Sequence, residues 1–263
     1  MLQRNGMAIA KSFMEISNFT LAGLVATSFA AGIIDTIAGG GGMLTLPALL
    51  SVGVSPANAL ATNKLQSIFG TASSSFHFFR QERVDITKSW LVVACTFVGA
   101  ALGAVVVQLI NPTFLSRVVP FLLIAAAIYI LFSPSLSDSD ARQRVSQLAF
   151  ALTAGIGIGF YDGFFGPGTG SFFAIAFVTL LGYNATKATA NTKVMNLASN
   201  CASVLFFILG GKTIWILGLL MGMGQVLGGY VGARLVIAKG AKLVRPCLVA
   251  TSLAITLKLL VFR

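Results

Sequence analysis

Seven acidic residues occur in this 263-residue sequence, and only Asp35 and Asp162 fall late in long apolar stretches. The others, Glu15, Glu82, Asp85, Asp138 and Asp140, lie near the termini or in polar segments. A carboxylate at membrane depth costs at least ~2.5 kcal/mol on insertion scales, so it persists where it is solvated, paired or useful. Two compatible readings stay open for each aspartate. It can cap a helix end through the glycine run that follows, or it can take part in ion binding and exchange a proton.

Lys64 and Lys193 are the matching cations, each in a polar run that opens an otherwise apolar helix. The first run carries Asn58, Thr62, Asn63 and Lys64, and the second Thr189, Asn191, Thr192 and Lys193. Helical spacing puts Asn58, Thr62 and Asn63 near one flank, where they could share a wall. Two lysines near a common axis suit a mono- or dianion, because intramembrane ionisable groups usually face the protein interior. The alternative is that both merely snorkel towards headgroups. Gln66 and Asn196, further along, are weaker candidates for the same wall.

Between each aspartate and its lysine lies a glycine run: Gly39, Gly40, Gly41 and Gly42 in the first, and Gly166, Gly168, Thr169 and Gly170 in the second. Helices broken inside a membrane are tolerated only where protein or a water-filled cavity satisfies the freed backbone. A helix restarting after such a break offers unpaired N–H groups to an anion. Close packing of small residues is the competing explanation. It suits the pairs Gly99/Gly103 and Gly228/Gly232 and accounts poorly for four consecutive glycines.

The elements that carry these residues are membrane helices. Apolar residues make up 56% of the chain and charged ones 10%, with a mean hydropathy of +0.90; a soluble domain carries about 25% charged residues. Spanning takes roughly 20 apolar residues, and long candidates run over 19–38, 90–110, 114–132, 148–165, 214–235 and 243–262. Residues 43–79 and 170–209 are less regular: a short apolar run, a turn (Ser55-Pro56 in the first), then the polar helix start. The first 13 residues have no long apolar core, so no cleavable signal peptide is expected.

The two halves repeat. At an offset of 127, Gly32, Asp35, Gly39 and Gly41 fall on Gly159, Asp162, Gly166 and Gly168. At 129, Gly53, Lys64, Ser74, Phe78, Gly99 and Gly103 fall on Gly182, Lys193, Ser203, Phe207, Gly228 and Gly232. The organisation read from this is a tail (1–16), a first membrane repeat (17–132), a polar linker (133–146) and a second repeat (147–263). Three basic loops, at Arg80/Arg83/Lys88, Arg142/Arg144 and Arg234/Lys239/Lys242/Arg245, can share the cytoplasmic side only if each half crosses an odd number of times. The expected fold is therefore an all-α polytopic membrane protein, an inverted repeat with broken or re-entrant helices at a central site and both termini outside.

Other classes find no support. The net charge of +11 reads as topology and lipid contact, not as a nucleic-acid surface. Cys95, Cys201 and Cys247 form no CxxC pair and His77 is the one histidine, so neither a metal nor a disulfide is expected. No P-loop, dinucleotide fingerprint or His–Glu metal motif points to an enzyme or a cofactor.

At GIIDTIAGGGGMLTLPALLSVGVSPANALATNK and GFYDGFFGPGTGSFFAIAFVTLLGYNATKATANTKVMN the chain resembles the TauE/SafE family of sulfite exporter-like permeases. The resemblance covers nearly the whole chain. It implies a permease for small, often sulfur-containing anions in a bacterial-type inner membrane. The family-like motif positions are Asp35, Gly39, Gly41, Gly42, Pro47, Asn63 and Lys64, then Asp162, Gly166, Gly168, Gly170, Asn191 and Lys193. The halves differ where ATNK becomes ANTK, which leaves the equivalence of the two asparagines open. A secondary transporter working by alternating access is the leading expectation, with a passive anion channel or an assembly protein as alternatives. Its partners would be a small anion, the bilayer and, as a homo-oligomer, further copies of itself.

Overall fold

The computed structural model describes residues 17–81, 83–84, 86–131 and 139–239, which are helical with short connections and contain no strand. In chain order the helices are α1 (Asn18–Ala38), α2 (Gly42–Ser51), α3 (Pro56–Arg80), α4 (Ile86–Leu109), α5 (Pro112–Leu131), α6 (Gln147–Phe150), α7 (Ile156–Phe164), α8 (Thr169–Leu181), α9 (Ala185–Leu209) and α10 (Trp215–Lys239). A π-helical turn, Ala151–Gly155, joins α6 to α7, so that 147–164 run as one rod. Five of the expected spans thus appear as helices; the sixth, 243–262, lies outside the described residues. Among the described residues α1, α4, α9 and α10 are long and apolar enough to cross a membrane.

Local chemistry sets the boundaries. Ser17 caps α1 by accepting from the Thr20 N–H at 3.1 Å, and Asn184 caps α9 by accepting from Lys187 N–H at 2.9 Å. Pro56 occupies the first turn of α3, where its missing N–H costs nothing. The helix α1 stops at Gly39, whose φ of 72° closes a left-handed turn, a conformation only glycine adopts without strain.

Packing crosses the repeat boundary. The α10 helix lies against α1 and α3, while α4 lies against α7 and α9; α3 and α9 meet in the centre. The expected small-residue pairs sit in these seams. Gly99 and Gly103 press on the backbone of Ile156 and Phe160, and Gly228 and Gly232 on that of Phe29 and Ile33. Any side chain there would collide with a carbonyl, so the seams are backbone-to-backbone contacts of the small-residue type.

The contacts also give direction. Along the α3/α10 seam Leu65 meets Gly218, Phe69 meets Gly222, and the Ser73 hydroxyl donates to the Val226 carbonyl, so the two helices run parallel. Along α4/α9 the Ser89 hydroxyl donates to Asn191 Oδ1 and Gln108 donates to the Phe206 carbonyl, again parallel. Because α4 begins a few residues after α3 ends, one end of the bundle collects the last turns of α3 and α10 and the first turns of α4 and α9. The linker is pinned there too, with Ala141 and Arg144 N–H donating to the Gly182 and Leu180 carbonyls. Arg80, Arg83, Arg142, Arg144, Lys187, Arg234 and Lys239 therefore share one end, against Arg117 and Lys212 towards the other. Between the ends the surface is apolar: Trp90, Phe121, Leu209, Leu227 and Met223 are all exposed, as a bilayer-facing surface requires.

A candidate ion site where two helix breaks meet

Each glycine run turns the chain back. After Gly39, α2 returns antiparallel to α1 and pairs with α3 through a 2.5 Å hydrogen bond from Thr45 Oγ1 to Asn63 Oδ1. After the left-handed Gly166 and Gly168 (φ 98° and 88°), α8 returns beside α9. The tips of the two turns touch: Gly39 lies in backbone contact with Gly170, and the Ser171 hydroxyl donates to the Ala38 carbonyl at 2.6 Å. The Tyr161 hydroxyl braces the second tip by donating to the Pro167 carbonyl at 2.7 Å.

The charged groups exchange partners between halves. Lys64 Nζ donates to Asp162 Oδ1 at 2.5 Å, and Lys193 Nζ donates to Asp35 Oδ2 at 2.8 Å and to the Asp35 carbonyl at 2.5 Å. Both lysines are buried, 2% and 1% exposed, so neither snorkels. Each aspartate also makes a contact with its own glycine run. Asp35 also accepts from the Gly41 N–H at 3.3 Å, as a cap would. Asp162 accepts from Thr169 Oγ1 at 2.9 Å and from the Ser199 hydroxyl. The pairs differ in exposure: the Asp162 side chain is 5% exposed and that of Asp35 21%.

Around these groups lies a polar cavity lined by Asp35, Asn63, Lys64, Ser67, Asp162 and Asn200, with Gly39, Gly42, Gly166, Thr169, Gly170 and Asn196 completing the wall. Its volume at water-centre positions is about 20 Å³, room for one or two waters by the ~10–15 Å³ each requires. A second, smaller chamber of about 10 Å³ is lined by Thr36, Thr189, Thr192 and Lys193 and shares Gly39 and Gly170 with the first. The hydroxyls of Thr189 and Thr192 and the Asn196 Oδ1 are buried with no hydrogen-bond partner. Gln66, Ser75 and Thr213 carry such atoms too; those of Thr189, Thr192 and Asn196 belong to residues that line the chambers.

The remaining candidates divide by helix face. Asn58 and Thr62 line neither chamber; Thr62 Oγ1 instead accepts from the Ile214 N–H at 3.3 Å. Successive helix positions are about 100° apart, so the wall is formed by Asn63, Lys64 and Ser67, and Thr62 with Asn58 faces the seam with α10. Asn191 likewise turns away, to Ser89 and to the Lys187 carbonyl, while Thr192 faces the smaller chamber. Equivalence between the halves therefore follows position: Thr62 and Asn191 look outward to matching seams, Asn63 and Thr192 inward. Gly40 and Gly41 are buried within the first tip, where a Cβ on Gly41 would lie 2.5 Å from that of Asp35. Gly168 is the left-handed N-cap of α8. Sequence reasoning singled out neither Ser67, Ser199 nor Asn200. The polar spacing 189, 192, 196, 199, 203 along α9 is the signal that would have found Ser199.

Among the described residues no cluster of three or more His, Cys, Asp or Glu could hold a metal ion. The family model for the sulfite exporter TauE/SafE matches residues 24–259. The chain is 48% identical over 254 residues to the probable membrane transporter protein YfcA of Escherichia coli K12, covering 97% of this chain and 94% of that protein. A probable membrane transporter protein of Haemophilus influenzae is 46% identical over 246 residues, 94% of this chain and 96% of its own length. The similarity to the probable membrane transporter protein YdhB of Bacillus subtilis is 24% over 216 residues. No solved structure matches the chain. An all-helical chain whose apolar flanks enclose buried, paired charges, and which the family model matches over nearly all its length, belongs to the TauE/SafE sulfite exporter family of membrane transporters.

Proposed function

We propose that this chain is a secondary transporter of small anions, sulfite being the substrate the family description favours and small sulfonates its chemical kin, and that it works by alternating access. The reciprocal Lys64–Asp162 and Lys193–Asp35 pairs beside a small polar cavity carry this reading. The cavity holds water-sized occupants only, so an oxyanion enters when the helix tips part. It must also displace a carboxylate, because each lysine is already neutralised. The freed aspartate then needs a new counter-charge in a low-dielectric site, and a proton supplies it. Anion movement is thereby coupled to proton movement.

The arrangement is read as an inverted repeat. Of the equivalent helices, α3 runs towards the basic end and α9 away from it, and each half's fourth helix packs on the other half, both of which support that symmetry. Inverted repeats switch access by exchanging the conformations of their halves. The unequal exposure of Asp35 and Asp162 fits one of two such states, the other having Asp162 as the open partner. The basic end faces the cytoplasm of a bacterial-type inner membrane by the positive-inside rule, which puts Ser17 outside.

The test is counterflow in proteoliposomes loaded with sulfite, sulfate, thiosulfate or a small sulfonate. Trans-acceleration by one of these, abolished by Lys64→Met, is the expected result. Ohmic currents without counterflow would replace the carrier with a pore. Flux indifferent to an imposed pH gradient would remove the proton step.

A further inference from the structure

At the basic end, away from the ion site, the last turns of α3 and α10 frame an open cleft of about 380 Å³. Its polar lining is His77, Gln81, Tyr230 and Arg234, over an apolar floor of Ile237 and Ala238. The His77 ring stands edge-on to Tyr230, with centroids 5.3 Å apart. The Arg234 guanidinium lies over the Tyr230 ring at 5.7 Å and contacts its hydroxyl at 3.5 Å. Beside them Arg80 lies over the Phe76 ring at 5.8 Å. Among the described residues neither arginine has a carboxylate partner.

Two further observations give the cleft a purpose. First, the repeat does not require it. At the 129-residue offset His77 and Arg80 correspond to Phe206 and Leu209, and Tyr230 and Arg234 to Ala101 and Val105. The four equivalent positions of the α4/α9 seam are thus apolar where these are polar or cationic, so the repeat itself does not call for these side chains. Second, the surface leading from the cleft along the bundle is exposed and apolar: Phe76, Val226, Leu227 and Met223. A cationic head above an apolar track matches a molecule with an anionic head and acyl tails. We infer that this cleft binds the phosphate of an anionic phospholipid in the leaflet at the basic end, with Arg234 and Arg80 as counter-charges and an acyl chain along the α3/α10 ridge. Basic pockets between helices on the cytoplasmic side are suited to such headgroups. The planar guanidiniums, held over rings, lose little freedom when they grip a phosphate.

Native mass spectrometry of the purified full-length protein tests this, with phosphatidylglycerol and phosphatidylcholine added separately. Wild type should retain phosphatidylglycerol in clear preference. Arg234→Gln should cut that retention roughly fivefold, and Arg80→Gln should do the same independently, at about one unit of surface attraction per arginine. Arg117→Gln, which removes a charge towards the opposite end, should leave it intact. Equal retention of the two lipids by wild type would overturn the inference, as would equal loss in the Arg117 variant, the mark of unspecific charge. Displacement of the lipid by inorganic phosphate at matched concentration would assign the cleft to free phosphate. Both arginines are exposed, and an unchanged melting temperature in each variant separates lost binding from lost folding.

Discussion

Removing one charge from the Lys64–Asp162 pair should be far more damaging than removing both. The two side chains are 3% and 5% exposed and 2.5 Å apart. Breaking a buried pair by deleting one partner costs about 3–5 kcal/mol, because the survivor is left uncompensated, whereas replacing both with apolar or neutral groups is often neutral. At about 2–4 °C per kcal/mol for a chain of this size, Lys64→Met or Asp162→Asn should lower the apparent melting temperature by roughly 6–20 °C. The two singles should differ. In Lys64→Met the stranded carboxylate keeps its bonds from Thr169 and Ser199, while in Asp162→Asn the lysine loses the one carboxylate at hydrogen-bond distance among the described residues. The Asp162 variant should therefore be the less stable. The double variant should recover most of the loss and still fail to transport. The assay is thermal unfolding of detergent-purified protein, paired with counterflow. Singles melting within 2 °C or so of wild type, or a double as damaged as the sum of its singles, would refute the buried pair as the organising contact.

Other consequences can be checked alongside. Gly39→Ala and Gly170→Ala place a methyl group into the opposing backbone at the tip contact, so each should abolish counterflow; Gly53→Ala, also left-handed but facing open space, should cost only the ~1–2 kcal/mol of its φ and stay active. Thr189→Val and Thr192→Val remove hydroxyls that have no partner, so stability should hold or rise by about 1 kcal/mol while flux falls; unchanged flux would take the smaller chamber off the path. Gly103→Val drives a branched side chain into the Phe160 carbonyl and should halve folded yield or worse, measured by size-exclusion chromatography.

Much of this molecule was legible before any coordinates. Composition demanded lipid, and the 127- and 129-residue offsets pointed to a duplicated unit. Cost alone selected Asp35, Asp162, Lys64 and Lys193, since intramembrane charge is too expensive to be incidental. The glycine runs marked the helix breaks because no other residue turns through φ near 72° or 98° without strain.

What sequence could not contain is who faces whom. Spacing along one helix fixes which residues share a flank, and an error of one position rotates a side chain by about 100°, which is how Thr62 and Asn58 were grouped with Asn63. The pairing of Lys64 with the distant Asp162, and of Lys193 with Asp35, spans 98 and 158 residues and depends on α3 packing against α9. That contact is a packing outcome. It follows from glycine seams that let α4 and α10 seat on the opposite half, and only the assembled bundle brings the four charges to two adjoining chambers.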